Sequence, residues 1–215
     1  MYRFILVLVL LLPFLPLKAQ KVYHPFTGTL VFSVGAGPTY GLTDYSGFTL
    51  DYMGMASVEY FFPTNSKSSF GLKAFGSYGY VKGKDASFNP VEYRTDLQYL
   101  GGAVVYNLSI GEVFFPQMTF GASLLSFKPK GEGGVILTRT PEYKTNELNL
   151  NSELGFRILL TKNLTLNLIG GAFMSPDDNL DNTLKGTNND MVLYGHLGLS
   201  FAFFGDADQD GDGVP

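Results

Sequence analysis

Asp206, Asp208, Asp210 and Asp212 stand at every second position of the run Asp206-Ala207-Asp208-Gln209-Asp210-Gly211-Asp212-Gly213-Val214-Pro215. Ca²⁺ is a hard cation that takes roughly six to eight oxygen ligands, and alternating carboxylates can supply several from one side of a turn. Gly211 and Gly213 permit the tight backbone that brings carbonyl oxygens to the same ion. The bidentate Glu of an EF-hand loop is missing, so the chemistry is that of a different calcium motif. Without metal, repulsion among the four carboxylates favours an extended acidic tail. The four aspartates are the candidate metal ligands, and Ca²⁺ is the candidate cofactor.

A second set of charges lies in the middle of the chain. Glu59, Lys73, Glu153 and Arg157 each sit among small or polar neighbours that alternate with apolar residues, and Arg94 and Asp96 lie nearer a segment end. If the polar stripe faces a lumen, these charges must pair across it, because a lone buried charge is costly. Glu153 and Arg157 are about 13 Å apart along one extended strand, so their partners belong to other strands. Such pairs fill a narrow lumen, or alternatively line an ion path.

Catalytic chemistry finds little support. His24 and His196 are the only histidines and have no metal-ligand spacing; Cys is absent, which removes thiolate sites, disulfides and a lipoprotein anchor. No HExxH, GxSxG or phosphate-loop sequence occurs, and Gly35-Ala36-Gly37 lacks the helix that a phosphate loop needs. The expectation is a non-enzyme. A net charge of -4 without a basic, aromatic-interleaved stripe excludes nucleic acid as a partner.

These residues must be positioned by strands. Charged residues make up only 16%, aromatics 15%, and Gly numbers 26. Met1-Tyr2-Arg3, the apolar run Phe4 to Leu17, and Leu17 and Ala19 at the −3 and −1 places form a signal peptide over residues 1–19. The run is shorter than the ~20 residues of a spanning helix, and no later stretch reaches ~18 apolar residues.

Beyond it, period-two alternation dominates. In Asn146 to Leu160, Leu148, Leu150, Ser152, Leu154, Phe156, Ile158 and Leu160 fall on one face, and Glu147, Asn149, Asn151, Glu153, Gly155 and Arg157 on the other. Seven further segments begin near Leu30, Tyr52, Phe70, Leu97, Met118, Leu164 and Leu193, the fourth (Leu97, Tyr99, Gly101, Ala103, Val105) with the least certain register. Short links (Pro63 to Ser68, Asn107 to Pro116, Thr161 to Asn163) alternate with mostly longer polar ones (Thr39 to Leu50, Lys82 to Tyr93, Lys128 to Tyr143, Ser175 to Asp190). Tyr60-Phe61-Phe62, Phe114-Phe115 and Phe203-Phe204 gather at the short-link end as an interfacial girdle would.

A soluble eight-stranded barrel also alternates, with its apolar face inward. Three features favour the membrane version: a polar face of Gly, Ser and Thr with few charges, an almost uncharged apolar face, and aromatics collected where strands meet short turns. The predicted fold is all-β, an eight-stranded antiparallel up-and-down transmembrane β-barrel over residues 20–204, in the bacterial outer membrane with its lipid as surroundings. A barrel of this size has its interior filled by side chains, so an open solute pore is not expected.

On these residues the chain resembles the OmpA-type eight-stranded barrel family over about Leu30 to Phe204. The closing segment Met191 to Phe204 ends in Phe, similar to the signal read by the barrel-insertion machinery, which the resemblance implies as a partner. The aspartate run, residues 205–215, resembles the start of a thrombospondin type 3 calcium repeat. In OmpA-like proteins of the Bacteroidetes kind such repeats connect the barrel to a peptidoglycan-binding domain, which does not follow here because the sequence stops inside the motif at Pro215. The resemblance implies a structural barrel that in longer form tethers outer membrane to peptidoglycan. The rival is a binding, transport or surface-recognition barrel that uses its long loops, above all those of Lys128 to Tyr143 and Ser175 to Asp190.

Overall fold

Strict alternation has one outcome for a strand: successive side chains must enter opposite environments. The computed structural model, which describes residues 25–47, 49–137, 145–178, 180–182 and 189–203, turns eight segments of the chain into such strands. They are β1 (Leu30–Leu42), β2 (Asp51–Phe61), β3 (Ser68–Lys84), β4 (Glu92–Leu108), β5 (Phe114–Lys130), β6 (Asn146–Leu159), β7 (Leu164–Met174) and β8 (Met191–Phe203). Each pairs antiparallel with its neighbours in chain order, and β1 closes on β8 from Leu30 opposite Phe203 to Leu42 opposite Met191. Closure leaves no edge strand, as hydrocarbon surroundings require of every backbone N–H and C=O. Residues 1–19, read above as a signal peptide, His24 and the tail with Asp206, Asp208, Asp210 and Asp212 lie outside the described residues.

The apolar stripe faces outward. Val34, Leu100, Leu124 and Leu154 are all more than 60% exposed, whereas Ser33's neighbour Val31 and the polar Ser57, Asn151, Thr165 and Ser200 are buried. In β4 the two stripes are reversed relative to the series singled out from the sequence. Leu97, Tyr99, Ala103 and Val105 point into the lumen, and Leu100 and Val104 point to lipid. Both stripes of this strand are apolar, so alternation could not orient it.

The aromatic girdle is likewise split. Tyr60, Phe62, Phe114 and Phe203 face outward, but Phe61 and Phe115 are fully buried inside. Consecutive residues of a strand cannot share a face, so half of each aromatic run turns inward.

A spanning strand needs about 9–11 residues. At 17 residues each, β3, β4 and β5 continue past the apolar band into hairpins on the long-link side. Two of the links read as loops are therefore shorter than expected, residues 85–91 and 131–145, because Lys82 opposite Arg94 and Arg94 opposite Lys130 still pair in the ladder.

Candidate functional site

The lumen holds the residues that the sequence singled out, in three layers. At the short-turn end, the segment before β1 passes beneath the barrel. Thr27 Oγ1 donates to the Thr64 carbonyl at 3.1 Å, and Phe61 N donates to the Thr29 carbonyl at 3.0 Å. This puts Phe26 against Phe61 and Phe115, with ring centroids at 5.6 and 5.2 Å. Val31, Val105 and Ala202 complete a dry floor.

Above it lies a charged belt. Strand order places β2 and β3 across the barrel from β6, so their inward charges meet there. Arg157 of β6 donates through Nη2 to Glu59 Oε2 of β2. Lys73 of β3 reaches Glu153 Oε2 of β6 at 2.6 Å. Glu59 and Lys73 are themselves direct partners in the β2–β3 ladder, so the four charges form one compact group of zero net charge. Tyr194 donates its hydroxyl to Glu153 Oε1 at 2.9 Å, and the Arg157 guanidinium lies 5.6 and 5.5 Å from the Phe26 and Phe61 rings. All four charged side chains are at most 2% exposed. A cavity of about 20 Å³ adjoins Glu59, Lys73, Asn167 and His196; that is room for roughly one water molecule.

The third layer is aromatic and was not legible in the sequence. Tyr99, Phe173 and Tyr194 stack with centroids 3.8 and 4.8 Å apart, and His196 continues the column at 4.9 Å from Tyr194. Phe173 lies at the end of an ordinary strand pattern, and only closure of β7 against β8 shows where its ring points.

At the long-loop end, residues 175–178, 180–182 and 189–190 fold back over this column. Leu180 is buried, its N–H donates to Asp190 Oδ2 at 2.7 Å, and its carbonyl accepts from Thr95 Oγ1. Asp181 Oδ2 accepts from Asp44 N at 3.1 Å. Burial pushes the Asp190 carboxyl up to about 8, with the nearby charge of Asp181 adding to the shift and the Leu180 hydrogen bond opposing it. Arg94 and Asp96 are not in the lumen. They lie on the outer wall of β4, where Asp96 accepts from Arg94 Nε at 2.9 Å and from Lys130 Nζ at 2.5 Å.

Floor, charged belt and aromatic column occupy successive levels of the lumen. The belt pairs each of its four charges within the lumen. Among the described residues no group of three or more potential metal ligands converges.

A family model of the outer membrane protein beta-barrel domain matches residues 7–183. Among solved structures, Neisserial surface protein A is 14% identical, covering 82% of this chain and 97% of its own, with a TM-score of 0.55. The outer membrane protein OprG from Pseudomonas aeruginosa is 14% identical over 85% of this chain and 99% of its own, at a TM-score of 0.51. Ail, the attachment invasion locus protein of Yersinia pestis, is also 14% identical, covering 82% and 99%, at 0.50. At such identities the likeness concerns the fold. No curated protein sequence matches the chain.

Proposed function

Because the chain belongs to the outer membrane protein β-barrel family and resides in the bacterial outer membrane, we propose that it is a structural barrel of the OmpA-like type rather than a conduit or a catalyst. The observation that carries this reading is the filled lumen: the Phe26–Phe61–Phe115 floor and the neutral belt of Glu59, Lys73, Glu153 and Arg157. Ion pairs that close on one another have no charge left to draw an ion through, and an eight-stranded wall encloses too little volume for both side chains and a path. Purified protein in a planar bilayer is expected to give no persistent single-channel conductance at neutral pH. Steady openings in most insertions would overturn the reading in favour of transport.

The aspartates Asp206, Asp208, Asp210 and Asp212 extend it. On this reading they are the opening turn of a calcium-binding linker, which in a chain with a peptidoglycan-binding domain ties membrane to cell wall. Calorimetry of the full chain at millimolar Ca²⁺ is expected to show saturable binding that is lost when the four are changed to Asn. An unchanged heat signal on Ca²⁺ addition would remove calcium from the proposal.

A second reading, recognition at the cell surface, rests on a different observation. In the β5–β6 connection Val135 and Ile136 are 67% and 57% exposed. Exposed apolar residues in a loop at the long-link end suit contact with a partner.

A further inference from the structure

The outer wall of β3, β4 and β5 carries cations just above its apolar band. Register sets Lys82, Arg94 and Lys130 side by side, and one row nearer the membrane Tyr80, Asp96 and Lys128. Rows two residues apart along a strand are separated by about 7 Å and neighbouring strands by about 4.8 Å. Four cations therefore share a patch roughly 10 Å across. The Arg94 guanidinium lies 4.0 Å from the Tyr80 ring centroid, which holds it against the wall. Asp96 serves both Arg94 and Lys130, and Lys82 leans toward the inward-facing Asp51 at 3.7 Å. Lys128 is exposed and makes no ion pair among the described residues. Two carboxylates among four cations leave an excess of positive charge.

Directly below the patch lies a shallow, open groove lined by Ala56, Gly76, Tyr78, Gln98, Leu100 and Leu124. Its upper row, Tyr78 beside Gln98 beside Ser126, is polar, and the next row down, Ala56, Gly76, Leu100 and Leu124, is apolar. The order from outside inward is thus cation, hydrogen-bonding group, hydrocarbon. A membrane lipid presents the matching order of phosphate, polar linkage and acyl chain.

We propose that this groove is a specific site for a phosphorylated glycolipid of the outer leaflet, with its phosphates on Arg94, Lys128 and Lys130 and an acyl chain over Ala56 and Gly76. The site is on the long-loop side, which in such barrels faces the cell exterior. The width of the patch and its surplus charge suit a headgroup with more than one phosphate better than a single phosphodiester. Arg and Lys bind such oxygens through charge-assisted hydrogen bonds, which are about twice as strong as neutral ones.

Native mass spectrometry of the full chain in detergent, incubated with bisphosphorylated lipid A, tests this. One retained lipid is expected, with the dephosphorylated form and phosphatidylglycerol each held about tenfold more weakly or worse. The double variant Arg94→Gln/Lys128→Gln removes the head contacts. Gly76→Leu fills the groove, since a Cβ there meets nothing closer than the Tyr99 carbonyl oxygen at 3.8 Å. Each is expected to lower retention about tenfold. Gly170→Leu, on the lipid face of β7 with similarly open space, should leave retention unchanged. Equal retention of the dephosphorylated lipid or of phosphatidylglycerol overturns the proposal, and so does an equal loss in Gly170→Leu. Competition by an acyl-free sulfated sugar as strong as by lipid A would overturn it in favour of a soluble polyanion. The comparison among lipids uses the unaltered chain, so it decides the matter even where a variant does not fold.

Discussion

Arg157→Met is expected to lower the unfolding free energy of the barrel by about 3–5 kcal/mol, the cost typical of breaking a buried ion pair by removing one partner. Glu59 is 1% exposed, and its carboxylate accepts a hydrogen bond from the Arg157 guanidinium. Methionine replaces the bulk of the side chain and keeps contact with the Phe26 and Phe61 rings, so the loss reports on the stranded carboxylate more than on packing. Urea-dependent unfolding in lipid vesicles measures it. The double variant Glu59→Gln/Arg157→Met removes both charges and is expected to recover most of the loss, because replacing both members of a buried pair is often close to neutral. The interaction energy from the cycle of single and double variants isolates the pair from its surroundings. Additive losses would show that the two side chains do not meet across the lumen.

The ladder makes the expectation sharper. Glu59 stands directly opposite Lys73 in the β2–β3 pairing, yet Lys73 gives its short contact to Glu153. Once Arg157 is gone, Lys73 is the nearest cation left for two carboxylates. Lys73→Met in the Arg157→Met background should then cost more than in the parent, because it strips the last positive charge from the belt. The belt behaves as one unit of four charges, and pairwise terms within it do not add.

How much of this could be read from residues alone differs from element to element. β6 is legible almost to the residue, Asn146 to Leu160 expected and Asn146–Leu159 observed, because between Glu147 and Ile158 one stripe is apolar save for Ser152 and the other is polar save for Gly155. The four charges of the belt were legible as inward-facing for the same reason. Their partners were not, since which strands face one another depends on closure and stagger of the whole barrel. Tyr60-Phe61-Phe62 reads as a single aromatic cluster in one dimension, but the pleat divides it between the lipid interface and the lumen floor. The Tyr99–Phe173–Tyr194 column joins residues from β4, β7 and β8 that share no local pattern. The outward cations above the groove are not legible from the residues, because Arg94 and Asp96 stand near a segment end in the sequence, whereas the hairpin carries the ladder on past them and turns them to the outer wall.

β4 is where alternation fails, and it supplies the second large expected effect. Leu97 and Tyr99 on one stripe are as apolar as Leu100 and Val104 on the other, so only burial separates them: Leu97 is 0% and Leu100 70% exposed. Val104 lies three rows deeper than Gln98 on the same outward face, well inside the apolar band, and Val104→Arg should destabilise the folded barrel by about 2–4 kcal/mol, as a cation deep in the bilayer does on a lipid face. The same substitution at Gln98, next to the cationic rows, should cost only about 0–1 kcal/mol. The gradient identifies the environment, because a cation forced into the packed lumen would be costly whatever its depth in the bilayer. Folding titrations in vesicles of one lipid would read both values. Equal costs at positions 98 and 104 would mean that this stripe does not touch acyl chains, and the inward placement of Leu97, Tyr99 and the aromatic column above the charged belt would fall with it.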